Sequence, residues 1–99
     1  MRLEIKWPAK FSLRRLQEMH YFLQQMANRL AVGEVRYGPP DRRKKYMTRI
    51  GLEYKAYKKT GNSECLRNIA NYCVLEDLEP ENAKHHFDGH VDSVTRGKV

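Results

Sequence analysis

No run of about 18 apolar residues occurs in this 99-residue chain, so the sequence predicts no membrane-spanning helix. Cysteine is scarce, with Cys65 and Cys73 the only two. Eight positions apart on one helix, they would stand about 12 Å from each other, beyond disulfide reach. Both are expected on the apolar side as core thiols, not as a redox or metal pair. The N-terminal MRLEIKWPAKF lacks an apolar signal core and a small-residue cleavage site, and a cytoplasmic location is expected. A glycine-rich phosphate loop, a Ser/His/Asp set and a cysteine beside a histidine are all missing, which leaves nucleophilic catalysis without support. No helix-turn-helix, zinc-finger or RNA-recognition signature is present, and no repeat or low-complexity tract.

What is present is small, basic and helical in pattern. The chain allows one domain, residues 1–99, burying roughly two thirds of its unfolded surface. Net charge is +7, unevenly spread. Between positions 41 and 59, Arg42, Arg43, Lys44, Lys45, Arg49, Lys55, Lys58 and Lys59 face only Asp41 and Glu53. Between 76 and 92, Glu76, Asp77, Glu79, Glu81, Asp88 and Asp92 face only Lys84. A positive helix suits a phosphate-bearing partner. The competing reading is a solvated face, or an acidic tail folded over the basic helix of the same or a neighbouring chain.

The expected fold is all-α: three main helices in a small bundle (12–78), an N-terminal extended arm (1–11) and a flexible polar C-terminal tail (79–99). Leu3, Ile5 and Trp7 alternate with polar residues before Pro8, and with no second strand to pair with they read as an arm anchored by Trp7. A first helix is expected over 12–32, with Ser12 as N-cap, Gly33 as C-cap and a stripe of Leu16, Met19/His20, Leu23, Met26/Ala27 and Leu30. Gly38-Pro39-Pro40 ends the linker 34–40. A second helix is expected over 41–59, capped by Asp41, with Met47, Ile50, Tyr54 and Tyr57 on one face and Gly51 allowing close helix approach. A third is expected over 63–78, stopped by Pro80. Its apolar set, Cys65, Leu66, Ile69, Ala70, Cys73, Val74, Leu75 and Leu78, is too broad for one stripe. That places it centrally or in a subunit interface, and a homo-oligomer is expected.

The most informative stretch is 60–76, TGNSECLRNIANYCVLE, where Asn68, Asn71 and Tyr72 stand among apolar residues on one short helix. Beside it, the interleaved cations and tyrosines of the second helix can reach phosphates and stack on bases. The candidate ligand-binding set is therefore Tyr37, Arg42, Arg43, Lys45, Arg49, Asn68, Asn71 and Tyr72, helped by the positive end of a helix starting after Pro40. Glu53 and Glu64 face each other across the 60–62 turn and are the candidate ligands for Mg²⁺. Exposed surface glutamates are the favoured reading, and no cofactor is expected. HHFDGH, with His85, His86, Asp88 and His90, has adventitious metal spacing, and surface histidines are favoured.

Tyr37-Gly38, a helix, and then a second helix opening with Glu64 and carrying Asn68-Ile69-Ala70-Asn71-Tyr72 resemble small phage and prophage helical proteins. These in turn distantly resemble the all-α nucleoside triphosphate pyrophosphohydrolases, the MazG-like group. The resemblance covers about residues 34–76. In that group the helix reads Glu…Asp-(Ile/Leu)-Ala-Asn-Tyr and its acidic pair binds Mg²⁺. Here Asn68 replaces the Asp and no Glu-x-x-Glu precedes it. The resemblance therefore implies a helical architecture and a nucleotide pocket with a degenerate metal site, in a phage or prophage accessory or anti-defence protein acting in the host cytoplasm. The expected function is non-catalytic binding of a phosphate-bearing ligand: a nucleotide, a nucleotide signal or a nucleic acid. The alternatives are a Mg²⁺-dependent nucleotide pyrophosphohydrolase and a protein-interaction module that binds an acidic host protein.

Overall fold

A computed structural model describes residues 12–88. It is all-α, in the order α1 (Leu13–Tyr37), a single 3₁₀ turn (Arg42–Lys44), α2 (Tyr46–Thr60) and α3 (Glu64–Leu78). The expected arm and the end of the tail, including His90, lie outside the described residues. No described helix is long and apolar enough to cross a membrane.

The helix ends explain the arrangement. Ser12 caps α1 as expected, its hydroxyl accepting from the Arg15 N–H at 3.1 Å. The far end differs: α1 runs through Gly33 and stops only at Gly38, whose φ of 83° puts it outside the range most side chains tolerate. The Gly38 N–H donates to Glu34 O at 2.8 Å. Gly33 alone does not stop a helix when Glu34, Val35, Arg36 and Tyr37 can continue it, whereas Pro39 following Gly38 does. The second helix is also shorter than expected. Asp41 caps the 3₁₀ turn, and α2 begins after Lys45, which sits left-handed at φ 53°, ψ 60°. The α2–α3 turn is built by Gly61 at φ 69°, with its N–H on Tyr57 O at 2.7 Å. Asn62 then caps α3, its Oδ1 accepting from the Glu64 N–H at 3.0 Å, while the Ser63 side chain makes no cap hydrogen bond.

α2 and α3 form a close helical hairpin, and α1 lies mainly against α3. α3 is thus the central helix. Two rotations correct the sequence reading. Met47 and Tyr54 point to solvent, at 56% and 55% exposure, while Tyr46 is buried and Glu53 half-buried. The Tyr46 hydroxyl accepts from the Asp41 N–H at 3.1 Å and its ring stacks on Tyr72, which fixes the roll of α2. Cys73, expected in the core, is exposed; Cys65 is buried. Gly51 serves no close approach, since nothing lies within 4 Å of a Cβ added there. Among the described residues the buried set is small: Ala27, Tyr46, Cys65 and Asn71.

Candidate ligand-binding cleft

Three helices and the strap between α1 and α2 enclose a cleft of about 780 Å³. α1 contributes Arg29, Arg36 and Tyr37; the strap contributes Lys44; α2 contributes Tyr46 and Arg49; α3 contributes Asn68, Asn71 and Tyr72. Leu30, Val32, Leu75 and Leu78 supply apolar wall. Asn68 and Asn71 are three positions apart, so the helical period sets both on the side of α3 that faces the cleft.

Charge in the cleft is predominantly positive. Among the described residues Arg29, Arg36, Lys44 and Arg49 line it, against a single carboxylate, Glu34. These cations are differently employed. Arg29 pairs across the helices with Glu64 at 2.9 Å. Lys44 donates to the carbonyls of Tyr37 at 2.6 Å and Pro39 at 3.0 Å, so its charge sits at the negative end of α1. Among the described residues Arg49 uses only Nε, donating to Lys44 O at 3.1 Å, and its outer guanidinium nitrogens have no partner there. Arg36 has no side-chain partner among the described residues.

Of the eight residues expected to bind ligand, Tyr37, Arg49, Asn68, Asn71 and Tyr72 converge here. Arg42, Arg43 and Lys45 do not line the cleft. Arg43 grips the Asp41 carboxylate, with Nη2 at 2.7 Å and Nε at 3.0 Å. The Arg43 side-chain and backbone hydrogen bonds hold the Asp41 carboxyl down at about 2, and Asp41 in turn raises the Arg43 guanidinium. Sequence reasoning missed the cleft cations Arg29, Arg36 and Lys44. Lys44 had a legible signal, a lysine shortly after the Gly-Pro-Pro stop, where the last helical carbonyls need donors.

Two buried side-chain oxygens have no hydrogen-bond partner among the described residues, Asn71 Oδ1 and Glu76 Oε2, and of the two residues Asn71, 93% buried, lines the cleft. Beside it, the Tyr46 and Tyr72 rings stack with centroids 6.1 Å apart and planes at 25°.

Comparisons with family models, curated proteins and solved structures return no match.

Glu53 and Glu64, the candidate Mg²⁺ ligands, lie outside this cleft lining. Both act on the Cys65 thiol electrostatically. Burial pushes that thiol up, and its hydrogen bond to Glu53 and the charges of Glu53 and Glu64 add to the shift. Among the described residues no group of three or more His, Cys, Asp or Glu side chains is placed to share a metal ion. His85 meets Asp77 at 3.3 Å, and His86 contacts Lys84 O at 2.9 Å.

Proposed function

We propose that the protein binds a phosphate-bearing ligand of nucleotide size in this cleft and does not turn it over. The observation that carries the proposal is the meeting, in one concave site, of guanidinium nitrogens on Arg36 and Arg49 that have no partner among the described residues with the amides and the tyrosine of α3. Guanidinium forks match phosphate oxygens in geometry and charge. A volume of about 780 Å³ falls in the range of small-molecule sites and favours a nucleotide over a nucleic-acid backbone, which needs an open track. Binding without hydrolysis is supported by the placement of the carboxylates: Glu64 pairs with Arg29, and neither Glu53 nor Glu64 lines the cleft. A sequestering role in a phage or prophage accessory or anti-defence protein is part of the proposal and rests on the sequence resemblance.

Calorimetric titration with nucleoside triphosphates and with tripolyphosphate tests it. Binding is expected to weaken with salt, and Arg49→Ala is expected to weaken it about tenfold to a hundredfold, as for loss of one charge-assisted contact. Absence of binding by all of these anions, or full affinity in Arg49→Ala, refutes the assignment. Mg²⁺-dependent release of pyrophosphate would replace it with a pyrophosphohydrolase.

A further inference from the structure

Resting on the phosphate reading above, we infer that Asn71 reads the heterocyclic base of the ligand, so that the cleft takes nucleotides and discriminates against bare polyphosphates. A buried polar group without a partner is rare, because folding strips its water and returns nothing. Asn71 is 93% buried, with an orphaned Oδ1, and no hydrogen bond of its side chain is found among the described residues. It also lines the same cleft as Arg36 and Arg49, which come from α1 and α2.

A carboxamide offers an N–H donor and a C=O acceptor side by side, and can turn over without changing shape. The complementary edge is an adjacent acceptor and donor on a planar ring, which nucleobases carry and sugars, inositols and inorganic phosphates do not. Tyr72, backed by the buried Tyr46 ring, and Tyr37 line the same cleft and supply aromatic surface suited to a π-face. Asn68, one turn before Asn71, puts a second amide in that cleft.

The test compares each of the four ribonucleoside triphosphates with tripolyphosphate on the full chain, by calorimetry, together with the thermal unfolding midpoint without ligand. For the unaltered protein at least one nucleotide should bind about tenfold tighter than tripolyphosphate, a ratio equal to about 1.4 kcal/mol. Asn71→Leu should bring that nucleotide to the tripolyphosphate level, leave tripolyphosphate binding unchanged, and keep or raise the unfolding midpoint, since it removes an unpaired amide. Asn71→Asp, which only accepts, should shift preference toward GTP, whose N1–H and N2–H₂ edge presents two donors. Equal affinity for nucleotides and tripolyphosphate overturns the inference while leaving the phosphate site standing. So does a folded Asn71→Leu that keeps its nucleotide preference, or one that lowers the midpoint and so marks the amide as structural. If tripolyphosphate and every nucleotide fail to bind, the phosphate reading falls and takes this inference with it.

Discussion

Lys44 Nζ lies 2.6 Å from the carbonyl oxygen of Tyr37, seven residues earlier in the chain. One ammonium group thereby closes the end of α1 and ties down the strap that lines the cleft. Lys44→Met keeps most of the stem and loses the donors. It should cost about 1 kcal/mol, the size of a helix-end charge interaction with partial solvent access. Urea unfolding measures the loss, and faster hydrogen exchange at the Gly38 amide should accompany it. An unchanged urea midpoint would show that the clamp is not formed in solution.

Arg67 joins α3 to α1 by chemistry that a hydrophobic pattern does not reveal. Its guanidinium carbon lies 4.6 Å from the centre of the Phe22 ring, and its Nε donates to Gln25 Oε1 at 2.6 Å. Arg67→Ala should destabilise by about 1–2 kcal/mol, combining one cation–π contact with one charge-assisted hydrogen bond at a partly exposed position. Phe22→Leu removes only the ring contact, so its cost should be smaller. Equal stability of Arg67→Ala and the unaltered protein would contradict the packing of α1 on α3.

Asp41 should titrate far below an ordinary aspartate. Its carboxyl is held at about 2, against an ordinary 3.8, chiefly by the Arg43 side-chain hydrogen bond. The folded value is the depressed one, so the stability it confers is complete above the ordinary value and fades as pH falls toward 2. The Asp41 carboxyl carbon, followed by NMR, should show a midpoint near 2. Arg43→Ala should return it toward 3.8.

Self-association is expected at micromolar concentration. No described side chain falls below 2% exposure, while Val35 at 89%, Tyr37 at 72%, Leu52 at 62% and Leu78 at 60% face solvent. A domain of this size has little apolar burial to set against chain entropy, and a second copy is an economical way to add more. Sedimentation equilibrium should give a mass above the 11.7 kDa of one chain. A monomer across that range would refute the expectation.

The three helices were legible because their signals are local: apolar spacing at three and four residues, Ser12 as a cap, and Gly-Pro-Pro as a stop. Boundaries and rotations were less so. Gly33 and Gly38 carry the same letter, and only the proline after Gly38 distinguishes the one that ends α1. Met47 and Tyr54 looked inward because they are apolar, yet Tyr46 takes the buried place through a hydroxyl contact to Asp41 that spacing cannot predict. Within the cleft, Asn71 and Tyr72 stood out as polar letters in an apolar run, and Arg49 as a cation among tyrosines. The division of labour among cations was not readable, because it depends on which carbonyl or carboxylate lies nearby: Asp41 for Arg43, the α1 carbonyls for Lys44.

Gly51 carries a consequence for how much change the chain can absorb. It sits inside α2, exposed, with open space where a Cβ would be. Replacing it with alanine should add about 1 kcal/mol to the helix at no steric cost. In a small domain that is a sizeable margin, enough to offset one damaging substitution elsewhere. A Gly51→Ala background therefore gives a sturdier host in which cleft variants can be compared without unfolding obscuring the result.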